Sequence, residues 1–249
     1  MSSSRKIVFI FLSSLFLSGG PAAFAEWSLD LETGAVFSGY NDVQIPKETG
    51  TRFSLSEDLE INPEFFFRAR VTYSFKKRHH ISGFAAPLRL DASGKADRPI
   101  RFNEVEFGAN IPLKARYRFD SYRLTYRYDV HRRERLTLGI GFTAKIRDAS
   151  ISLQDADKKT EKKDTGFVPL LNFKVDWRFT KGFGLLLEGD ALAAPQGRAE
   201  DVLMAMQYKL NKKVTLKVGY RFLEGGADVD EVYNFTLVSY VAVGSIIMF

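Results

Sequence analysis

The sequence predicts an all-β protein: a transmembrane antiparallel up-and-down β-barrel, with ten strands favoured and eight or twelve left open. Three observations predict this fold. About ten segments alternate apolar and polar residues over roughly ten positions, the length that a tilted strand needs to cross lipid. The connections between these segments are alternately short and long. Aromatic residues cluster at the segment ends that meet the short connections.

The first 25 residues have the parts of a secretory signal peptide. Arg5 and Lys6 supply positive charge, Ile7–Leu17 forms a short apolar core, and Ala23-Phe24-Ala25 matches a small-x-small cleavage box. We therefore expect export through the Sec pathway and cleavage after Ala25. The mature chain, residues 26–249, is expected to form a single barrel domain.

Composition narrows the class of the exported chain. It has no Cys, which excludes a disulfide framework and lipoprotein acylation. The net charge of +6 falls to +4 without the first 25 residues, too mild a charge to predict a nucleic-acid partner. No apolar run of about 18 residues follows Leu17, so no transmembrane helix is expected after the signal. Two classes of protein remain: a periplasmic β-protein and a membrane β-barrel. The barrel is the non-helical fold in which every backbone N–H and C=O group has a hydrogen-bond partner within lipid.

The strands are predicted from alternation with a period of two residues. The clearest is residues 64–75, where Phe65 and Phe67 face away from Arg68 and Arg70. Near Ser121 the alternation slips by one residue, which predicts a β-bulge. The predicted strands are 27–37, 64–75, 79–91, 117–128, 136–146, 167–179, 183–193, 201–210, 214–222 and 231–249.

The connections predict which end of the barrel faces which compartment. Those after the second, fourth, sixth and eighth strands are short and basic: Lys76–Arg78, His131–Arg135, Thr180–Gly182 and Asn211–Lys213. The others are longer, above all 38–62, 92–116 and the charged stretch 154–165. Short turns on the periplasmic side and long loops outside are the pattern of outer-membrane barrels.

Ten aromatic residues fall near the predicted short-turn end once the strands are aligned, which is the position of an aromatic girdle between lipid headgroups and tails. They are Trp27, Tyr73, Phe75, Tyr126, Tyr128, Trp177, Phe179, Phe183, Tyr208 and Phe249.

The last segment, residues 231–249, alternates from Tyr233 onward and ends on Phe249. A strand that ends the chain on an aromatic residue resembles the closing strand of bacterial outer-membrane β-barrel proteins. The resemblance is to this broad superfamily, through the segment and the strand pattern before it. It implies a Gram-negative outer-membrane location, contact with lipid and lipopolysaccharide, and insertion by the assembly machinery through the strand ending at Phe249.

The face opposite the apolar one is strongly charged, with twelve positive residues against six negative ones. The lumen-lining candidates are Arg68, Arg70, Arg123, Arg127, Lys145, Arg147, Lys174, Arg178, Lys217 and Arg221, with Asp30, Glu32, Glu188 and Asp190. Arg118, Lys209, Asp120 and Asp176 complete the set. Buried charges must be paired or wetted. The pattern predicts either a salt-bridge network in a structural barrel or a narrow, porin-like pore that prefers anions.

Two other functions stay open: an enzyme acting on lipid A or peptides, and a surface-binding, adhesin-like barrel that uses the loops 38–62 and 92–116. His80-x-Ser82 superficially resembles the His-x-Ser pair of the lipid A deacylase family, but it lies beside the short turn Lys76–Arg78, and that family acts at the outer leaflet. All three His residues lie near short turns. We therefore predict no enzymatic activity, and no catalytic, cofactor-binding or metal-binding residues.

Overall fold

The computed structural model describes residues 25–249, so the predicted signal peptide, Ala25 apart, lies outside the described residues. The described chain consists of fifteen strands joined by turns. They are β1 (Glu26–Gln44), β2 (Phe53–Ser54), β3 (Glu60–Ile61), β4 (Glu64–Phe75), β5 (His79–Ala86), β6 (Arg89–Gly94), β7 (Ile100–Phe102), β8 (Val105–Phe107), β9 (Leu113–Arg132), β10 (Leu136–Gln154), β11 (Lys159–Arg178), β12 (Phe183–Ala194), β13 (Gly197–Lys209), β14 (Val214–Val229) and β15 (Val232–Met248).

Ten of these strands form a closed antiparallel barrel in up-and-down order, which confirms the predicted fold class and the favoured strand number. The order around the wall is β1, β4, β5, β9, β10, β11, β12, β13, β14 and β15, and β15 pairs back with β1. Strand β6 continues the line of β5 along β9, while β2, β3, β7 and β8 are short additions. Within residues 25–249 no helix has the length and hydropathy to cross a bilayer.

Alternation along each strand separates an apolar outer surface from a polar interior. On β4, Phe65 is 90% exposed and Phe67 54%, whereas Phe66 between them is 5% exposed and Arg68 after them 3%. The outward residues of the other wall strands are likewise apolar, as in Leu124 and Phe142. A continuous exposed apolar band of this kind is the lipid-contacting surface of a membrane barrel.

Aromatic side chains pack against one another across neighbouring strands at the end of the barrel that carries the turns 76–78, 133–135, 179–182 and 210–213, here called the short-turn end. Trp27 lies 4.9 Å from Tyr73 between ring centroids, and Phe183 lies 4.9 Å from Tyr208. Such cross-strand ring contacts add to the stability of the paired strands. They also place amphipathic rings at the edge of the apolar band.

At the opposite end, here called the long-loop end, one sequence-based prediction was wrong, and a second was wrong in the middle of β9. The stretch 154–165 is not a loop, because β10 runs to Gln154 and β11 begins at Lys159. No register shift occurs at Ser121; the shift between β9 and β10 lies near the short-turn end, between Leu138 and Gly139, opposite His131 and Asp129. Strands that project beyond the lipid are solvated on their outer face, so charged residues there hide the alternation that would have marked the end of β10 and the start of β11.

The inside of the barrel also changes character along β9. Tyr117 and Phe119 point inward with Ser121 and Arg123, while Arg118 points outward and bonds to Asp148 at 2.5 Å. The predicted inward position of Arg118 is therefore wrong. From Ser121 toward the long-loop end, the interior is an apolar core and not a charged lumen. The apolar residues of β9 therefore point inward there, although they point outward in the rest of the strand, and β9 stays regular at this change.

That apolar core fills part of the long-loop end. It includes the fully buried Ile100, Phe102 and Phe107 from the connection before β9, packed with Leu90 and Leu153 from the wall. Phe53 and Phe102 meet edge to face at 6.0 Å. Burying side chains of this size stabilises the connection by about 1.5–3 kcal/mol each relative to exposure, so the stretch 92–116 is largely ordered structure.

Candidate functional site

Asp201 is the centre of the interior. Its carboxylate, 2% exposed, receives guanidinium groups from three other strands: Arg68 on β4, Arg123 on β9 and Arg221 on β14. The Arg68 Nη1–Oδ1 distance is 3.2 Å and the Arg221 Nη1–Oδ1 distance is 2.6 Å. Because β4 and β9 lie across the barrel from β13, these bonds cross the bore instead of following the wall.

A second carboxylate extends this layer toward β1. Arg221 also donates to Glu32, with Nε–Oε2 at 3.0 Å and Nη2–Oε1 at 2.8 Å. Lys217 bridges Glu32 and Asp30, with Nζ–O distances of 2.7 and 2.8 Å. A planar guanidinium that shares its donors between two carboxylates fixes both in position.

A third carboxylate, Asp190, completes the layer. Arg123 donates to Asp190 Oδ2 at 2.7 Å, and Thr143 and Asn172 donate to Oδ1 at 2.6 and 2.8 Å. Arg70 pairs separately with Glu188 at 2.7 Å. We call the set formed by Asp30, Glu32, Arg68, Arg123, Asp190, Asp201, Lys217 and Arg221 the ionic layer.

The layer separates two cavities. The one at the short-turn end, the basic vestibule, has a volume of about 970 Å³, and the one at the long-loop end, the outer cavity, about 820 Å³. No described residue lines both cavities, and Arg68, Arg123, Asp201 and Arg221 line neither. The interior is therefore divided by a layer of buried, paired charges.

The predicted lumen residues are accordingly distributed over three places. Arg68, Arg70, Arg123, Lys217, Arg221, Asp30, Glu32, Glu188 and Asp190 belong to the ionic layer or pair beside it. Arg127, Lys174 and Arg178 line the basic vestibule, where Lys174 and Arg178 approach Asp176 at 3.7 and 3.8 Å. Lys145 and Arg147 line the outer cavity.

The vestibule wall also carries a hydrogen-bonded chain of three polar side chains. Ser74 on β4 and His80 on β5 are directly opposite in the sheet, and Ser74 Oγ lies 2.9 Å from His80 Nδ1. The other ring nitrogen, Nε2, lies 2.9 Å from Asp129 Oδ2 on β9. Ser82, which the sequence paired with His80, bonds to Thr72 instead, at 2.9 Å. A serine, a histidine and an aspartate joined in this order are the elements of an activated nucleophile.

Three carboxylates come close enough together to suggest a metal site: Asp30, Glu32 and Glu188 have oxygen atoms within 4.8 Å of one another. Lys217, Arg221 and Arg70 already supply positive charge to these oxygens. The group is therefore part of the ion-pair network, since cationic side chains occupy the directions that a metal would need.

Sequence reasoning missed Asp201 and Asp129. A signal for Asp201 existed, because Lys209 was assigned to the interior and Asp201 is eight residues before it on the same face. The signal was weak since Leu203 and Ala205 also point inward while Met204 and Met206 point outward, so both faces of β13 are apolar. Asp129 lay at the predicted edge of a turn.

No protein-family model and no curated protein sequence matches the chain. Among solved structures it is similar to the outer membrane protease OmpT from Escherichia coli, with a TM-score of 0.61, 9% identity, and coverage of 90% of this chain and 97% of that one. It is also similar to Ail, the attachment invasion locus protein of Yersinia pestis, with a TM-score of 0.41, 8% identity, and coverage of 90% and 99%. At 9% identity the first likeness is one of fold alone, and the second is too weak to support an inference.

The closed ten-stranded wall, the exposed apolar band and the likeness in fold to the outer membrane protease OmpT define the class: the chain has the fold of an outer-membrane β-barrel.

Proposed function

We propose that this chain is an outer-membrane barrel whose bore is closed by the ionic layer, so that it works at its two open ends and not as a channel. The proposal includes export, cleavage after Ala25, contact with lipid and lipopolysaccharide, and insertion through the strand that ends at Phe249. In this orientation the basic vestibule opens to the periplasm and the outer cavity to the exterior.

The observation that carries the proposal is the bridging of the bore at Asp201. Three guanidinium groups from separate strands converge on a carboxylate that is 2% exposed, and Arg221 itself is 1% exposed. Removing one partner of such a buried pair costs about 3–5 kcal/mol, because the remaining charge stays buried and unpaired. Thermal opening of this layer is correspondingly rare.

The competing reading is the narrow anion-preferring pore, and the vestibule favours it: eleven Lys or Arg residues line that cavity against six Asp or Glu residues. A basic funnel attracts anions whether or not they pass through. The two readings differ in whether a solute entering one cavity reaches the other.

Thiol labelling from one side distinguishes the two readings, because the chain has no native Cys. Thr137 lines the vestibule and Ala149 lines the outer cavity. We expect a small impermeant thiol reagent, added to the long-loop side of uniformly oriented proteoliposomes, to label Ala149→Cys and leave Thr137→Cys unlabelled. Addition from the short-turn side should reverse the result. Comparable labelling of both from one side would contradict a closed bore.

A second function, ester hydrolysis in the vestibule, is favoured by the Ser74–His80–Asp129 chain. Ser74 Oγ would attack the carbonyl carbon of an ester while its proton passes to His80 Nδ1, and Asp129 would stabilise the resulting imidazolium through Nε2–H. The imidazolium would return the proton to the departing alcohol, leaving an acyl group on Ser74 that water then removes. Arg132, whose Nη1 lies 3.8 Å from Asp129 Oδ2, and the other vestibule cations favour an anionic ester.

An active-site phosphonate probe tests this function directly, since it reports a nucleophilic serine without requiring the natural substrate. We expect the folded protein to be labelled on Ser74, with labelling lost in Ser74→Ala and His80→Ala and retained in Ser82→Ala, the matched neighbour that bonds to Thr72. No labelling of the folded protein, or equal labelling of Ser74→Ala, would reject hydrolysis while leaving the closed bore untouched.

A further inference from the structure

The barrel wall is incomplete at one place above the ionic layer. Strands β11 and β12 pair from Arg178–Gly184 up to Leu171–Ala191 and no further. Beyond that level β11 continues for the stretch 159–170 and pairs with β10, while residues 192–194 of β12 pair with β13. Two strand edges therefore face each other without ladder hydrogen bonds, and the β12–β13 hairpin is short beside the projecting β10–β11 hairpin.

The outer cavity lies at this gap. Its lining includes Leu192 and Ala194 on the β12 side, and Phe167, Val168 and Pro169 on the β11 side. Phe167 faces the lipid side and is 63% exposed, yet it also borders the cavity. The cavity thus extends from the interior toward the lipid-contacting surface. Its volume of about 820 Å³ is in the range of small-ligand sites, roughly 300–1,000 Å³.

The floor of the cavity holds an unpaired buried cation. Lys145 on β10 is 2% exposed and lines the cavity. Within the described residues 25–249 it makes no hydrogen bond or ion pair, and its Nζ lies 4.8 Å from the centre of the Phe119 ring. By contrast, the buried cations Lys217 and Arg221 each contact two carboxylates. A charged lysine that is buried without a partner is costly, and an anionic ligand would offset that cost.

Arg147, two residues further on the same face, adds a second donor. One of its terminal nitrogens pairs with Asp164, while its buried Nε has no hydrogen-bond partner. The acidic residues that line the cavity nearer its mouth include Glu224, which is held by Arg198 at 2.7 Å. The groups without hydrogen-bond partners at the floor, Lys145 Nζ and Arg147 Nε, are therefore donors that could bind an acceptor.

The height of this floor relative to the membrane is set by the strand register. Lys145 is opposite Val168, and Ile146 is opposite Phe167. Ile146 and Phe167 are the last apolar outward residues of β10 and β11, since Asp148 and Thr165 follow them on that face. The two cations consequently lie at the outer boundary of the apolar band, where the headgroups of the outer leaflet begin.

We infer that the outer cavity binds a single-chain amphiphile with an anionic head. The head, a carboxylate or a phosphate, accepts hydrogen bonds from Lys145 and Arg147, and the hydrocarbon tail lies along Leu192 and Phe167 through the gap between β11 and β12. This inference is independent of whether the bore conducts and of whether Ser74 is a nucleophile.

The test is equilibrium binding of laurate to the folded mature chain, residues 26–249, in a neutral detergent. We expect saturable binding that is displaced by dodecyl phosphate and not by dodecanol or dodecyltrimethylammonium, which have the same chain length but no negative charge. Equal displacement by all three competitors, or no saturable binding, would overturn the inference.

Two variants locate the site. Lys145→Met keeps the length of the side chain and removes its charge, and we expect it to weaken laurate binding about ten- to a hundredfold, the equivalent of one hydrogen bond to a charged group. Leu192→Trp should obstruct the tail and weaken laurate and dodecyl phosphate alike. Lys209→Met, at the vestibule, is the matched control and should bind normally. Unchanged binding in folded Lys145→Met would place the ligand elsewhere.

Two sources of the ligand are distinguished by the head. Stronger displacement by laurate than by dodecyl phosphate identifies a free fatty acid, and the reverse identifies a phosphate-bearing lipid of the outer leaflet. Either result supports the anionic-amphiphile site, and displacement by the neutral or cationic chain contradicts it.

Discussion

Individual carboxylates hold the cationic side chains of the barrel interior in position. Asp201 faces three arginines and Glu32 faces an arginine and a lysine, so each acid neutralises more than one cation. This arrangement explains how several arginines can be buried at one level of the bore, since shared carboxylates satisfy several donors at once. It also makes each acid more critical to the structure than each base.

Replacement of Asp201 tests this asymmetry. Asp201→Asn keeps the shape but removes the charge that three guanidinium groups share, and we expect a loss of about 3–5 kcal/mol in the free energy of unfolding. Asp91→Asn is the control, because its pair with Arg116 at 2.6 Å is half exposed and contributes about 0–1 kcal/mol. Urea unfolding in lipid measures both, and similar losses for the two variants would disprove the central role of Asp201.

At the scale of the element, the connections at the long-loop end are ordered by buried side chains and ion pairs. The turn after β2 is tied to the connection before β7 by Arg98, which donates to Asp58 at 2.7 and 2.9 Å. Burial alone would raise the pKa of the Asp58 carboxyl, but the hydrogen bonds from Arg98 and from the Ser54 amide outweigh it and hold the pKa below the ordinary value of 3.8.

A pH dependence follows from the lowered pKa. A carboxyl whose pKa is lowered in the folded state contributes its full stabilisation of the fold at pH values above its unfolded-state pKa of 3.8. The contribution is lost as the pH falls through the pKa of the folded state. We expect wild type to exceed Asp58→Asn in stability by about 1 kcal/mol or less at neutral pH, with the difference shrinking below pH 3.8. Asp97→Asn, whose side chain is 86% exposed beside the same arginine, should show little difference. Unfolding measured against pH would contradict this if the Asp58 difference grew in acid.

The parts of β10 and β11 that project beyond the lipid are also those whose boundaries and faces were predicted least well from the sequence. Inside the apolar band, outward residues such as Phe142 and inward ones such as Thr143 differ in polarity, so period-two alternation located the strands and their faces. Beyond the band both faces of β10 and β11 are solvated or packed under connections, and Asp148 and Ser150 carry no information about phase. The partners of each lumen charge depended on strand order and register across the bore, as Arg68 and Asp201 illustrate, and local spacing does not contain that information.

For the whole molecule, the closed wall and the ionic layer together produce two separate compartments in one bore. The wall fixes a diameter only slightly larger than side chains can fill. The ionic layer fills it near the middle, and each end is left with its own chemistry: cations, Ser74 and His80 at one end, and an apolar-walled cavity with Lys145 at the other. A function at either end is therefore independent of conduction.

Single-channel current across a planar bilayer, recorded under a salt gradient with the refolded mature chain, tests the closed bore most directly. Protein shown to be folded should give no discrete openings, and Asp201→Asn should show occasional openings if it still inserts, because its arginines are no longer held across the bore. Discrete, anion-selective openings from the wild-type chain would contradict the account and make the basic lumen a selectivity filter.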